Sequence, residues 1–126
     1  MQPRFIDHIV LTTSNVKRAE RFYSSFLGKP LSQDKYSVCY KIGETKLFIA
    51  LPYHPRKSDK FNANRIGLEH LAFGVRTLAE LKQFDKKLTN ANIKHSEIKI
   101  DKYGKKPYIW LDDPDGIRLE FYIRPK

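Results

Sequence analysis

Two histidines stand in closely similar surroundings, His8 in "IDHIVL" and His70 in "LEHLAF", and each directly follows an acidic residue, Asp7 or Glu69. A third residue of the same chemistry, Glu120, lies in "RLEFYI". Two imidazoles and one carboxylate form a donor set that holds a divalent ion while leaving positions open, and it suits Fe(II), Mn(II), Ni(II) or Zn(II). Taken singly, each residue has a plainer reading. A histidine on a strand is more often a hydrogen-bonded core group than a ligand, and a glutamate two residues from Arg118 is more often an ion-pair partner. The case for one site rests on the elements that position these residues.

Those elements come in two copies. The segment "IDHIVLTTSNVKRAERFYSSFL" lies without a gap on "LEHLAFGVRTLAELKQFDKKLT", so that His8 meets His70, Asp7 meets Glu69 and Phe22 meets Phe84. Each copy reads as a strand leading into an amphipathic helix, with apolar stripes Val16, Ala19, Phe22, Phe26 and Leu78, Leu81, Phe84, Leu88. Gly28 and Asn92 supply helix stops, and Thr77 with Glu80 makes a capping box. Three strand-like runs follow each helix: 30–32, 36–42 and 46–51 in the first copy, 94–100, 107–112 and 117–123 in the second. The last two runs of each copy are joined tightly, by Gly43-Glu44 and by "DPDG". The expectation is an α+β fold, a single domain over 1–126 built of two βαβββ modules. The modules span roughly 4–51 and 66–124, and the polar, Pro-containing segment 52–65 joins them.

Strand alternation then sorts the side chains. Ile9 and Leu11, Leu71, Phe73 and Val75, and Leu119, Phe121 and Ile123 form apolar series suited to packing under the helices. His8, His70 and Glu120 fall on the other face, with Arg118 and Tyr122 from the last strand and Tyr108 and Trp110 from the strand before it. A sheet face with two histidines, a carboxylate and an arginine reads as a site. Equivalent positions in a repeated unit are what a pseudo-two-fold axis brings together, and this favours a shared ion over unrelated core groups.

Composition bounds the rest. A chain of 126 residues, 40% hydrophobic and 13% aromatic, buries a core without staples. Cys39 is the only cysteine, so no intrachain disulfide forms, and "MQPRFIDHIVL" lacks a signal-peptide pattern; both point to the cytoplasm. No apolar run approaches the roughly 20 residues that span a bilayer. The net charge of +10 attracts anions. Its basic residues are scattered, however, and no nucleic-acid-binding signature accompanies them, which speaks against nucleic acid as the partner.

The combination of "DHIVLTTSNVKRAERFYSSFLG", "GLEHLAFGV" and "DDPDGIRLEFY" resembles the vicinal oxygen chelate superfamily, to which glyoxalase I, fosfomycin-resistance thiol transferases, extradiol dioxygenases and metal-free bleomycin-binding proteins belong. The resemblance covers nearly the whole chain. It implies two modules forming a curved mixed sheet around a cavity, usually closed by pairing into a homodimer. It places divalent-metal ligands at His8, His70 and Glu120, with substrate oxygens chelating the ion. Glyoxalase I has a further carboxylate ligand in its fourth strand, and matching "FIALPY" to "RLEFYI" puts Ala50 there, which neither ligates nor acts as a base. Val10 stands where the fosfomycin enzymes have a hydroxyl residue, and Trp110 where extradiol dioxygenases have a tyrosine. The chain is most similar to small glyoxalase-like bacterial proteins that share "GLxHLAF" and a "DPYxxK"-like loop, here at 101–106.

The resemblance therefore implies a metal-dependent enzyme of glyoxalase (lyase or isomerase) or dioxygenase type, acting on a small, oxygen-chelating, anionic substrate. Arg118, Lys105 and Lys106 would meet its charge, and Tyr108, Trp110 and Tyr122 would wall the pocket; no residue is singled out as catalytic. The alternative is a metal-free small-molecule-binding protein like the bleomycin-resistance proteins. Glu69, one residue from His70 and so expected on the opposite pleat face, should leave metal affinity unchanged.

Overall fold

The computed structural model describes residues 1–125; Lys126, the last residue of the expected domain, lies outside the described part. The chain runs β1 (His8–Thr12), α1 (Val16–Leu27), β2 (Ser32–Gln33), β3 (Ser37–Ile42), β4 (Thr45–Ala50), β5 (His70–Val75), α2 (Leu78–Asn90), β6 (Lys99–Ile100), β7 (Pro107–Asp112) and β8 (Arg118–Ile123). It divides into two compact units, Met1–Asp59 and Lys60–Lys126. Each holds one helix and one four-stranded mixed sheet, ordered β1-β4-β3-β2 in the first and β5-β8-β7-β6 in the second. No helix among the described residues is long and apolar enough to cross a membrane.

In the first unit Asn15 caps α1, its side chain accepting from the Arg18 N–H at 2.9 Å, and Gly28 ends the helix at φ +85°. α1 packs on Leu11, Val38, Tyr40, Leu47 and Ile49, all buried. Tyr40 ties sheet to helix: its hydroxyl lies 2.8 Å from Ser24 Oγ and 3.2 Å from the Glu20 carbonyl, and burial pushes its pKa up. The buried helix positions are Ala19, Tyr23 and Phe26. Tyr23 thus joins the expected stripe, because a phenol ring packs as an apolar body as readily as Phe22 does.

In the second unit the Thr77–Glu80 capping box is formed, with the Glu80 N–H donating to Thr77 Oγ1 at 3.1 Å and the Thr77 N–H to Glu80 Oε2 at 3.2 Å. Asn92 follows the helix at φ +58°, as a stop residue should. α2 lays Leu81 and Leu88 against the sheet and stacks Phe84 on Phe121 at 4.4 Å between ring centroids. Leu78, expected in the stripe, is exposed instead, because it opens the helix ahead of the first packed turn.

The run expected as a strand over 94–100 is interrupted. Ser96 accepts the Trp110 N–H on its side-chain oxygen at 3.0 Å while its own N–H donates to the Trp110 carbonyl. A side chain thereby replaces one rung of the ladder, and only Lys99–Ile100 and an isolated His95–Leu111 bridge remain. His95 is held by the Ile93 carbonyl and by Asp85, each at 2.7 Å.

The face assignment has a direct test. Leu119 is fully buried under α2, whereas its neighbour Glu120 points the other way and has no hydrogen-bond partner among the described residues. Leu119→Ala should therefore cost about 2–5 kcal/mol in urea unfolding, and Glu120→Ala a small fraction of that.

Candidate functional site

Within the second unit, alternation along β5, β7 and β8 puts six of the expected residues on the sheet face away from α2. The ladder sets Arg118 opposite both His70 and Asp112, Glu120 opposite Ala72 and Trp110, and Tyr122 opposite Gly74 and Tyr108. The alternate residues Ile109, Leu111, Leu119, Phe121 and Ile123 are buried on the helix side. The turn "DPDG" sets this register. Asp113 Oδ1 accepts the N–H groups of Asp115 and Ile117, both at 2.9 Å, and Gly116 takes the φ of +92° that the turn requires.

His70 Nε2 stands 3.8 Å from Glu120 Oε1. That is beyond hydrogen-bond reach, so nothing demands a proton on this nitrogen. Adjacent ligands at about 2.0–2.2 Å from a divalent ion stand roughly 3.0–3.5 Å apart, so a small side-chain rotation lets this pair share one. The other ring nitrogen, Nδ1, is 2.7 Å from Glu69 Oε1. Glu69 therefore does not turn away, contrary to the expectation that it lies on the opposite pleat face. It precedes β5 and so is not bound by strand alternation.

The first unit repeats the arrangement at His8. Its Nδ1 lies 2.8 Å from Asp7 Oδ1, and Asp7 likewise comes just before its strand. What differs is the neighbour. His8 pairs with Lys46 as His70 pairs with Arg118, and Val10 pairs with Phe48 as Ala72 pairs with Glu120. Phe48, not Ala50, is thus the counterpart of Glu120, which corrects the alignment of "FIALPY" by two residues. The Phe48 ring meets His8 edge-on at 5.9 Å. Neither residue is a carboxylate, so the lack of a fourth acidic ligand at this position stands. Among the described residues within either unit, no three His, Cys, Asp or Glu side chains converge on one point.

Around the His70–Glu120 pair the remaining residues hold one another in place. The Arg118 guanidinium lies over the Trp110 ring, 4.2 Å from its centroid, and its Nε–H donates to Asp112 at 2.7 Å. Asp112, absent from the expected set, thereby offsets part of the arginine's charge. Tyr108 and Tyr122 pack ring to ring at 6.2 Å. The Tyr122 hydroxyl donates to Asp101 Oδ2 at 2.9 Å, and the Gly104 N–H donates to the same oxygen. A Cβ on Gly104 would run into the Tyr122 hydroxyl, so any larger residue there has to displace the Tyr122 ring end from Asp101. Lys105, at φ +60°, and Lys106 lie in this same 101–106 turn, Lys105 exposed and Lys106 partly buried.

The Gly104 and Tyr122 donors hold the Asp101 carboxyl below its usual range, and burial together with the Asp101 bond pushes Tyr122 up. A depressed carboxyl adds stability above its unfolded pKa and loses it as pH falls through the folded one. Tyr122→Phe removes one donor, so Asp101 should titrate closer to its ordinary value in a carbon-13 NMR titration while the Gly104 bond keeps part of the depression. An unmoved Asp101 would show that the phenol does not hold this turn.

Residues 5–121 match the family described as the Glyoxalase/Bleomycin resistance protein/Dioxygenase superfamily. The chain is 26% identical to the uncharacterized protein YaeR of Escherichia coli (strain K12), over 93% of this chain and 94% of that protein. Among solved structures it resembles a glyoxylase/bleomycin resistance protein/dioxygenase domain from Frankia sp. EAN1pec, at TM-score 0.81, 20% identity and coverage of 99% and 95%. It also resembles a lactoylglutathione lyase from Agrobacterium tumefaciens, at TM-score 0.75, 20% identity and coverage of 98% and 96%.

Proposed function

This chain belongs to the glyoxalase/bleomycin resistance protein/dioxygenase superfamily, and on that premise we propose that it is a divalent-metal-dependent enzyme acting on a small, oxygen-chelating, anionic molecule. The observation that carries the reading is the open-face pair His70 and Glu120, 3.8 Å apart, with the imidazole already anchored through its far nitrogen. His8 is the third proposed ligand, supported by the same anchoring through Asp7. Iron, manganese, nickel or zinc suits two imidazoles and a carboxylate. Bound there, such an ion supplies Lewis-acid polarisation of substrate oxygens.

The chain's own residues then fix the substrate. Arg118, stacked on Trp110, offers a cation whose plane is already set, and Lys105 and Lys106 add positive charge at the neighbouring turn. Tyr108, Trp110 and Tyr122 give an aromatic wall that orients a small molecule and limits water. A homodimer completes the proposal, as the family resemblance implies. The competing reading, a metal-free binding protein, draws its support from the apolar Val10 and Phe48 on the open face of the first sheet.

Metal content separates the two. Protein purified without added metal should carry close to one divalent ion per chain by elemental analysis, with the content falling steeply in His70→Ala and Glu120→Ala. Equal content in the natural chain and both variants would overturn the ligand assignment.

The reaction is narrowed by Phe48. A well-placed base is worth about 10²–10⁴ in rate, and at the counterpart of Glu120 this chain offers a phenyl ring. Little lactoylglutathione should therefore form from methylglyoxal and glutathione, even with nickel, zinc or manganese supplied. Phe48→Glu should recover some of it. Robust turnover by the natural chain would show that another residue serves as the base.

A further inference from the structure

Each candidate ligand histidine is gripped from behind by the residue that precedes it. Asp7 and Glu69 lie at matched positions ahead of β1 and β5, with carboxylate oxygens 2.8 Å from His8 Nδ1 and 2.7 Å from His70 Nδ1. An ionised carboxylate only accepts, so in the neutral imidazole the single ring proton must sit on Nδ1, and the lone pair is left on Nε2. At His70 that free nitrogen is the one nearest Glu120. We infer that Asp7 and Glu69 are positioning residues, which lock His8 and His70 in the Nδ1–H tautomer and present each Nε2 as a metal donor. The lock acts through the imidazole alone, and it rests on the reading of these histidines as ligands.

Three features set this arrangement apart from incidental surface pairing. The acid occupies the same place in both repeats, although one copy is Asp and the other Glu, whose reaches differ by a methylene. Both carboxylates are largely exposed, at 80% and 71% of their side-chain surface, so burial does not force either bond. The acid also comes just before the first strand residue in both units, so strict strand alternation does not turn it away from the next side chain. Outer partners of this type restrict ring rotation and make the ligating nitrogen more basic, and losing one typically lowers metal affinity about 10–100-fold.

The test uses the full chain in two measurements. In the metal-free protein, long-range proton–nitrogen NMR should show His8 and His70 with the proton on Nδ1. Glu69→Ala should shift His70 toward a mixture of tautomers with His8 unchanged, and Asp7→Ala should do the reverse. Zinc affinity, measured by competition with a chromophoric chelator, should fall about 10–100-fold in each alanine variant. Glu69→Gln keeps the accepting oxygen without the charge, and should hold both the tautomer and most of the affinity. An Nε2–H tautomer in the natural chain, or zinc affinity unchanged in both alanine variants while His70→Ala abolishes it, overturns the inference and spares the ligand reading. A chain with the Nδ1–H tautomer locked as described, yet binding no zinc, overturns the ligand reading and supports the lock. If Glu69→Gln falls as far as Glu69→Ala in affinity and tautomer, charge and not positioning is the cause, and the inference fails.

Discussion

Everything on the open face of the second sheet depends on the register of one parallel pairing, β5 on β8, in which Ala72 stands opposite Glu120. Side chains alternate with a period of two, so a slip of one residue would send Glu120, Arg118 and Tyr122 under α2 and expose Leu119 and Phe121 to water. The apolar cost of that exchange rules out a slip by any odd number of residues. Asp113 fixes it locally, because its carboxylate gathers the N–H groups of Asp115 and Ile117 and delivers Arg118 to the strand in phase. The chemistry of the face is thus an outcome of core packing on the reverse side.

The two units obey one plan with different connections. Gly43 and Glu44 alone join β3 to β4, whereas residues 113–117 join β7 to β8. The repeat is therefore gapless through the first strand and helix and falls out of step before the last strand. With no continuous repeat to fix the register there, matching "FIALPY" to "RLEFYI" by apolar alternation lands on Ala50, since a shift of two residues keeps the alternation, while the hydrogen-bond ladder identifies Phe48. Turn length is weakly encoded by residue type, and pairing partners are not encoded locally at all.

Other features were legible in the chain for equally physical reasons. The helices announced themselves through period and caps, Thr77 with Glu80 most clearly, because capping is decided within four residues. The open-face membership of His70, Glu120, Arg118, Tyr122, Tyr108 and Trp110 followed from alternation, which needs only the strand to exist. What stayed hidden depended on side chains acting as substitutes for backbone or stepping outside the pleat. Ser96 breaks a strand that hydropathy supports, and Glu69 reaches His70 because it stands just before the ladder begins. Asp112 gives no signal of its own, because a strand-end aspartate looks like solvation until Arg118 is placed across from it. The acidic residue ahead of each histidine was visible in the sequence and was the one signal that could have exposed the anchoring.

The positions of the strands within their own sheet carry a mechanical consequence. β8 is interior, with β5 on one side and β7 on the other, whereas β5 has a neighbour in that sheet on one side only. Amides of a doubly bonded strand open rarely and those of a margin strand more often, so hydrogen exchange should rank Phe121 far slower than Leu71. Glu120 accordingly sits on the firmer strand and His70 on the more yielding one, so any adjustment of the 3.8 Å between them falls mainly to the His70 side. Under the proposed ligand reading, such a pair would accept ions of slightly different radius without disturbing the core behind it.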